Sequence, residues 1–159
     1  MDPSFVDAFR KAAKNTFRDM FSIEAAEQGS RELKPSERNG WDLSGLIGLA
    51  GQAQGVVALR LTKALVEGLL AGSGVAPAAE SERAQLEAGL VGEMTNIVAG
   101  AAVSALSALD IEIAPPVVVR GADHEIGWPA IGPVLALSFS LPGGIAASGF
   151  ELDLCIRAN

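Results

Sequence analysis

A carboxylate and an amide stand three residues apart in the middle of the chain, as Glu93 and Asn96. On a helix, residues at this spacing project from the same side, with Cβ atoms about 5–6 Å apart. The pair would then offer a second molecule a charged acceptor beside an amide that both donates and accepts hydrogen bonds. The sequence contains no GxxxxGK[ST], GxSxG or HExxH motif, so this pair is its main candidate for chemistry.

Glycines continue the stripe on which the pair lies. Gly89 stands four residues before Glu93, and Gly100 stands four residues after Asn96. Without Cβ atoms the helix surface is low there, and another protein's backbone could approach it. We therefore take Gly89, Gly92 and Gly100 as expected partner-binding positions. A plainer interpretation remains. A Glu and an Asn on the outer side of a helix are usually only solvated, and the glycines could serve internal packing.

The helix that carries the pair is predicted to begin at Ser81, which suits an N-cap, with Glu82 in its first turn. It is predicted to end near Leu109. Its many alanines suit close packing against a sheet. Seven apolar residues are predicted to form a broad buried face: Leu86, Leu90, Met94, Ile97, Val98, Ala101 and Leu106.

Periodicity and turn residues predict the remaining elements. Another long helix precedes two hairpins and a short helix: helix Pro3–Ile23, strands Trp41–Leu49 and Val56–Leu61, helix Lys63–Leu70, edge or bulged segment Ile111–Val119, and strands Val134–Leu141 and Ile145–Ile156. The polar stretch Ala26–Gly40 is predicted to be a loop or short edge element. This order predicts an α/β (α+β) fold in which two long helices pack on an antiparallel-rich sheet.

The two halves of the chain could be distant copies of one unit. A long helix followed by strands occurs in each half, and Asn15 on the first helix has a place comparable to that of Asn96 on the second. Two unrelated amphipathic helices, each followed by strands, explain the pattern equally well.

Composition limits the classes of function. The 159 residues, 49% of them hydrophobic, suffice for one core, so we expect a single domain over 1–159. A net charge of -7 argues against binding to nucleic acid or an anionic membrane. The N-terminal segment is acidic and amphipathic, unlike a secretory signal, and the apolar stretches are interrupted by polar residues. We therefore expect a cytoplasmic protein without membrane insertion.

Cys155 and His124 are single residues of their kinds. One chain therefore cannot form a disulfide or a Cys/His metal cluster, and no metal site is predicted. We expect His124 to be a loop residue and Cys155 to be a packed or edge thiol.

The run Leu90–Ala102 resembles the signature helix of the CheC/CheX/FliY phosphatases, in which a Glu, two residues and an Asn precede an apolar pair and a glycine. The similarity extends to the first helix, with Thr16-Phe17 and Met20, and to the hairpin at 46–57. The chain departs from the family pattern at Gly89, where Asp or Ser is frequent, and its Pro115-Pro116 matches a later proline only approximately. Ala12, three residues before Asn15, provides no second Glu, which makes the chain CheX-like with one active site.

The resemblance implies a CheC-like fold and a phosphatase that acts on the aspartyl phosphate of a CheY-like receiver domain. Asn96 would position the attacking water, and Glu93 would pair with the receiver's active-site lysine. The partner's own acidic pocket would hold Mg²⁺, and this chain would hold no cofactor. A homodimer formed by sheet extension is also implied, with the C-terminal hairpin as a candidate interface. The alternative is a non-catalytic docking or dimerisation module of a two-component signalling system, which the change at Gly89 would permit.

Overall fold

Seven antiparallel strands form one sheet, and the helices cover one of its faces. The structure is a computed structural model that describes residues 1–34, 37, 40–74, 79–143 and 149–159. Its elements are α1 (Pro3–Phe21), β1 (Ala26–Glu32), β2 (Leu43–Gly51), β3 (Ala53–Leu61), α2 (Lys63–Gly72), α3 (Glu80–Ala105), β4 (Ile111–Ile113), β5 (Val117–Arg120), β6 (Leu135–Ser140) and β7 (Phe150–Ala158). The predicted α+β arrangement with two long helices on the sheet is confirmed.

The strand order is β1-β6-β7-β3-β2-β4, and β5 pairs with β2 beside β4. The last strand, β7, is therefore central, since it pairs with both β3 and β6. The suggestion that the C-terminal hairpin provides an adhesive edge is wrong in this respect, because the backbone groups of β7 are used on both sides. The free edges belong to β1 at one end and to β4 and β5 at the other.

Alternation along the strands separates two faces of the sheet. In β3, Val57, Leu59 and Leu61 point toward the helices and belong to the single hydrophobic core. Arg60, between two of them, points to the opposite side, which we call the rear face. Core residues from all three described helices meet the apolar side of the sheet, so one core holds the helices on it.

Both long helices form where they were predicted, with differences at their ends. In α1, Pro3 occupies the first turn, and the Asp2 carboxylate accepts a hydrogen bond of 2.8 Å from the Ser4 backbone N–H. In α3, the helix begins at Glu80 after Ala79, which makes no side-chain cap, so the predicted Ser81 cap is wrong. This start lacks the usual capping signal that would mark it in the sequence.

The buried face of α3 also differs from the prediction. Met94 and Val98 are buried as expected, but Ala101 is exposed. The rest of the inward face consists of smaller or polar residues: Glu87, Val91, Gly92, Thr95, Ala99 and Ala102. Small residues face inward because α3 lies close to β2 and α1. By length and composition alone α3 could cross a membrane, yet these contacts give its apolar residues a place in the core.

The remaining strands mostly follow the prediction. The stretch predicted as a loop or short edge element contains β1, a seven-residue edge strand paired with β6. The segment with Pro115 and Pro116 forms two short strands, β4 and β5, separated at the prolines. In the second hairpin, β7 begins at Phe150; part of the predicted strand from Ile145 lies outside the described residues.

Candidate active site

Glu93 and Asn96 project from the exposed side of α3. The two residues between them, Met94 and Thr95, are 0% and 1% exposed, so the helix turns its inner side toward the core at these two positions. Within the described part of the chain, the side chains of Glu93 and Asn96 make no hydrogen bond or ion pair. The predicted shared side is present, and both polar groups are available to a second molecule.

An open groove of about 540 Å³ runs beside this pair. One wall is α3, with Gly89, Gly92, Glu93 and Asn96, and the other is the segment 113–116 between β4 and β5. The second wall was not identified as part of the site from the sequence. The sequence feature that marks this wall is the pair Pro115-Pro116, which cannot donate backbone hydrogen bonds and interrupts the edge of the sheet.

The three glycines of the site have different surroundings. A Cβ placed on Gly89 or Gly100 would meet nothing within 4 Å in the described structure. A Cβ on Gly92 would lie 3.5 Å from Val118 Cγ2 and 4.0 Å from Pro116 Cγ. Gly92 thus packs inside the molecule, as the plainer interpretation supposed, whereas Gly89 and Gly100 leave open surface next to the polar pair. Partner binding by these glycines stays a prediction.

An ion pair ties β5 to α3. Arg120, at the end of β5, pairs with the fully buried carboxylate of Glu87, and its other Nη atom donates to the Ala84 carbonyl oxygen at 3.4 Å. Glu87 lies less than two helical turns before Glu93. The contact was not found from the sequence, because its partners are separated by 33 residues.

The first helix provides no matching polar pair. Asn15 is exposed on α1, but Ala12, the residue three positions earlier, is buried. The position at which a second Glu would stand therefore faces the core. This placement is consistent with the prediction of one active site per chain.

A second polar cluster lies on the rear face of the sheet and is almost fully buried. Arg60 donates to Asp153 Oδ2 at 3.3 Å and to Ser44 Oγ at 3.1 Å. Burial raises the pKa of Asp153 from 3.8 to about 8; the negative charge of Glu151 adds to this, and Arg60 opposes it. Such a buried pair is a feature of the fold, and it lies on the face of the sheet opposite to the helices.

His124 belongs to this cluster. Its Nδ1 lies 2.8 Å from the Gly121 carbonyl oxygen, to which it donates, and its Nε2 lies 2.6 Å from Ser44 Oγ. In the neutral ring the Ser44 hydroxyl is then the donor to Nε2. The prediction of a simple loop residue missed this contact, because Ser44 is 80 residues away. Ser44 is 0% exposed and is not accessible as a nucleophile despite its histidine.

Cys155 is buried on the same face, with Sγ 3.6 Å from the Pro129 carbonyl oxygen. Burial raises the pKa of its thiol, which disfavours the reactive thiolate. The prediction of a packed thiol is confirmed. Among the described residues, no group of three His, Cys, Asp or Glu side chains is placed to hold a metal ion.

Comparison with known proteins places these features in a family. A family model for the chemotaxis phosphatase CheX matches residues 43–140, a range that includes α3 and both walls of the groove. No curated protein matches the chain significantly.

Solved structures match nearly the whole chain. A CheC-like superfamily protein from Shewanella sp. PV-4 is 26% identical, with a TM-score of 0.84, over 99% of this chain and 100% of its own. CheX from Vibrio vulnificus is 30% identical, with a TM-score of 0.80, over 96% of this chain and 99% of its own. CheX of Borrelia burgdorferi, in a structure with CheY, BeF3 and Mg, is 23% identical, with a TM-score of 0.72, over 96% of this chain and 97% of its own.

Proposed function

The chain belongs to the CheX family of chemotaxis phosphatases, and we propose that it hydrolyses the aspartyl phosphate of a CheY-like receiver domain in the cytoplasm. The observation that carries this proposal is the pair Glu93 and Asn96, exposed and without partners in the described chain, beside an open groove. The Borrelia burgdorferi relative, which was solved with CheY, BeF3 and Mg, supports the choice of partner.

Asn96 is proposed to hold the attacking water. Hydrolysis needs a water molecule in line with the bond between aspartate and phosphorus, and an amide can fix one by donating and accepting at once. Asn96 is exposed beside the groove, so it can enter a receiver's active site when the helix docks. No base in this chain is required, because positioning and electrostatic stabilisation carry most of phosphoryl transfer.

Glu93 is proposed to anchor the receiver. Its carboxylate lies one turn from Asn96 and has no cation beside it among the described residues, so it can pair with the receiver's active-site lysine. Mg²⁺ would be held by the receiver's acidic residues, since the described part of this chain offers no cluster of metal ligands. The open surface at Gly89 and Gly100 would let the receiver's backbone come close to α3.

The alternative is a docking module that binds a receiver without hydrolysis. The glycine at position 89, where the family pattern often has Asp or Ser, favours this alternative. Under it, the exposed pair would contribute to affinity alone, and removal of Asn96 would leave the lifetime of the aspartyl phosphate unchanged.

A homodimer is proposed to form through β1. Among the described strands it pairs with β6 alone, and nearly all its residues are exposed. It lies at the end of the sheet opposite to β4 and β5, so pairing between two β1 strands would leave the groove accessible. Sedimentation equilibrium distinguishes a dimer from a monomer.

The proposed activity is tested by the decay of a phosphorylated CheY-like receiver from the same cell. We expect the wild-type chain to accelerate this decay in the presence of Mg²⁺. Asn15→Ala is a matched control, because it removes an exposed helical asparagine outside the groove, and it should keep the full rate. Binding of the phosphorylated receiver without any acceleration would support the docking module.

A further inference from the structure

Thr95, between the two site residues, points into the molecule. It is 1% exposed, and its hydroxyl donates to the Val91 carbonyl oxygen at 2.6 Å, one turn earlier in α3. The single hydrogen of the hydroxyl is used in this bond, so Thr95 has no donor left for another partner.

Thr95 rests on Gly45 of β2. A Cβ at position 45 would lie 1.8 Å from Thr95 Oγ1 and 2.8 Å from Thr95 Cβ, which no real structure tolerates. The backbone of Gly45 is outside the left-handed region, so its conformation does not demand glycine. Glycine is required at position 45 because Thr95 occupies the space of a side chain there, even though glycine weakens a strand.

The strand pairing at Gly45 also connects α3 to the second wall of the groove. Gly45 pairs with Val118 of β5, and Val118 Cγ2 lies against Gly92. Thr95 and Gly92, three residues apart on α3, thus rest on adjacent strands. Pro116, two residues before Val118, belongs to the second wall. The depth of Thr95 therefore affects how far α3 stands from that wall.

We propose that Thr95 is a positioning residue: seated on Gly45, it sets the rotation and depth of α3 and so aims Asn96 and Glu93. Each helical residue turns the direction of its side chain by about 100°. A side chain fixed at position 95 consequently fixes the directions at positions 93 and 96. The positioning role rests on the proposed function, whereas the seat itself is a property of the free protein.

The test enlarges position 45 and then makes room for the added methyl group. The variants are Gly45→Ala, Thr95→Gly and the two changes together. Gly48→Ala is the matched control in the same strand. Its new Cβ would meet Ala114 Cβ of the second wall at an ordinary 3.8 Å, so it adds a methyl group beside the groove without displacing a neighbour. Two quantities are measured at a temperature at which circular dichroism shows each variant folded. They are the backbone amide resonances from Glu93 to Ile97, and receiver dephosphorylation resolved into kcat and KM.

Gly45→Ala is expected to shift these resonances and to lower kcat about 10- to 100-fold, the scale of a misplacement near 1 Å. The double variant should come closer to the wild type in both quantities than either single variant, and Gly48→Ala should match the wild type. If Gly45→Ala does not fold but the double variant does, the rescue of folding supports the contact between positions 45 and 95.

Resonances and kcat of Gly45→Ala that match those of Gly48→Ala would overturn the proposal. A double variant no better than Gly45→Ala would do so too. Failure of the proposed function is a separate result, because then the wild type itself would not accelerate decay. In that case the resonances of the free protein still decide whether Thr95 sets the position of α3.

Discussion

Glu93 and Asn96 combine exposure with a fixed direction, which exposed side chains usually lack. The direction comes from Met94 and Thr95, whose burial anchors the helix between the two polar groups. The glycines at 89 and 100 then leave space on either side of them. At this scale the pair is an exposed polar surface beside an open groove, which suits its proposed insertion into a receiver's active site.

Glu93→Gln keeps the size of the side chain but removes its charge and replaces one acceptor oxygen with an NH2 donor. We expect the receiver's affinity to fall about 10-fold, because a hydrogen bond to a charged group contributes roughly 1.5–3 kcal/mol. The value of kcat should change less, and the dependence of binding on salt should weaken. Titration of the activated receiver at two salt concentrations measures this. Glu24→Gln, an equal charge change at an exposed position outside the groove, should leave affinity unaltered.

We expect Gly89→Ala and Gly100→Ala each to stabilise the fold and to weaken receiver binding. Each should raise the free energy of unfolding by about 0.5–1 kcal/mol, because glycine is unfavourable inside a helix and the methyl group meets open space. Each should also weaken receiver binding, if a backbone approaches there. Urea denaturation and receiver titration test the two parts, and a stabilised variant with unchanged affinity would refute the role in partner approach.

At the scale of elements, β2 separates two different environments. Gly45 on its helix side accepts Thr95, and the adjacent Ser44 on its rear side joins the cluster of Arg60 and His124. The rear cluster contains two buried carboxyl groups, on Glu151 and Asp153. Its chemistry gives the fold a dependence on pH that is independent of the groove.

The pKa of Asp153, raised to about 8 from 3.8, fixes the sign of this dependence. The folded protein keeps the proton that the unfolded chain releases above about pH 4, so stability is fully present below that pH and is lost as pH rises through 8. We expect a lower free energy of unfolding at pH 8.5 than at pH 6 in urea titrations. Asp153→Asn should show a smaller loss between these values, and an equal loss would assign the effect to other groups.

The sequence predicted elements well where the determinants are local. The shared side of Glu93 and Asn96 follows from helical spacing, and the hairpins follow from alternation and turns. The second wall at 113–116 and the seat at Gly45 depend on strand pairing across more than 60 residues, for example Gly45 with Val118. The buried face of α3 was misassigned at Ala101 because the helix is apolar on several sides, so hydrophobicity did not separate Ala101 from the buried Ala99 and Ala102.

At the scale of the whole molecule, the groove and the proposed dimer edge lie at opposite ends of the sheet. The groove lies at the end formed by β4 and β5, and the proposed dimer edge is β1 at the other. Buried threonines in both long helices bond to the carbonyl oxygen one turn earlier, Thr16 to Ala12 at 2.7 Å and Thr95 to Val91 at 2.6 Å. Thr16 follows Asn15 whereas Thr95 precedes Asn96, so these threonines do not align when the two asparagines do. Only α3 has a Glu beside its Asn on the exposed side.

The most direct measurement compares Asn96→Ala with the wild type in two assays of the same receiver. If Asn96 positions the attacking water, the variant should lose nearly all acceleration of aspartyl-phosphate decay while its affinity for the BeF3-activated receiver stays within a few-fold of the wild type. If the variant accelerates decay as the wild type does, Asn96 does not position the water, and the proposed mechanism is wrong.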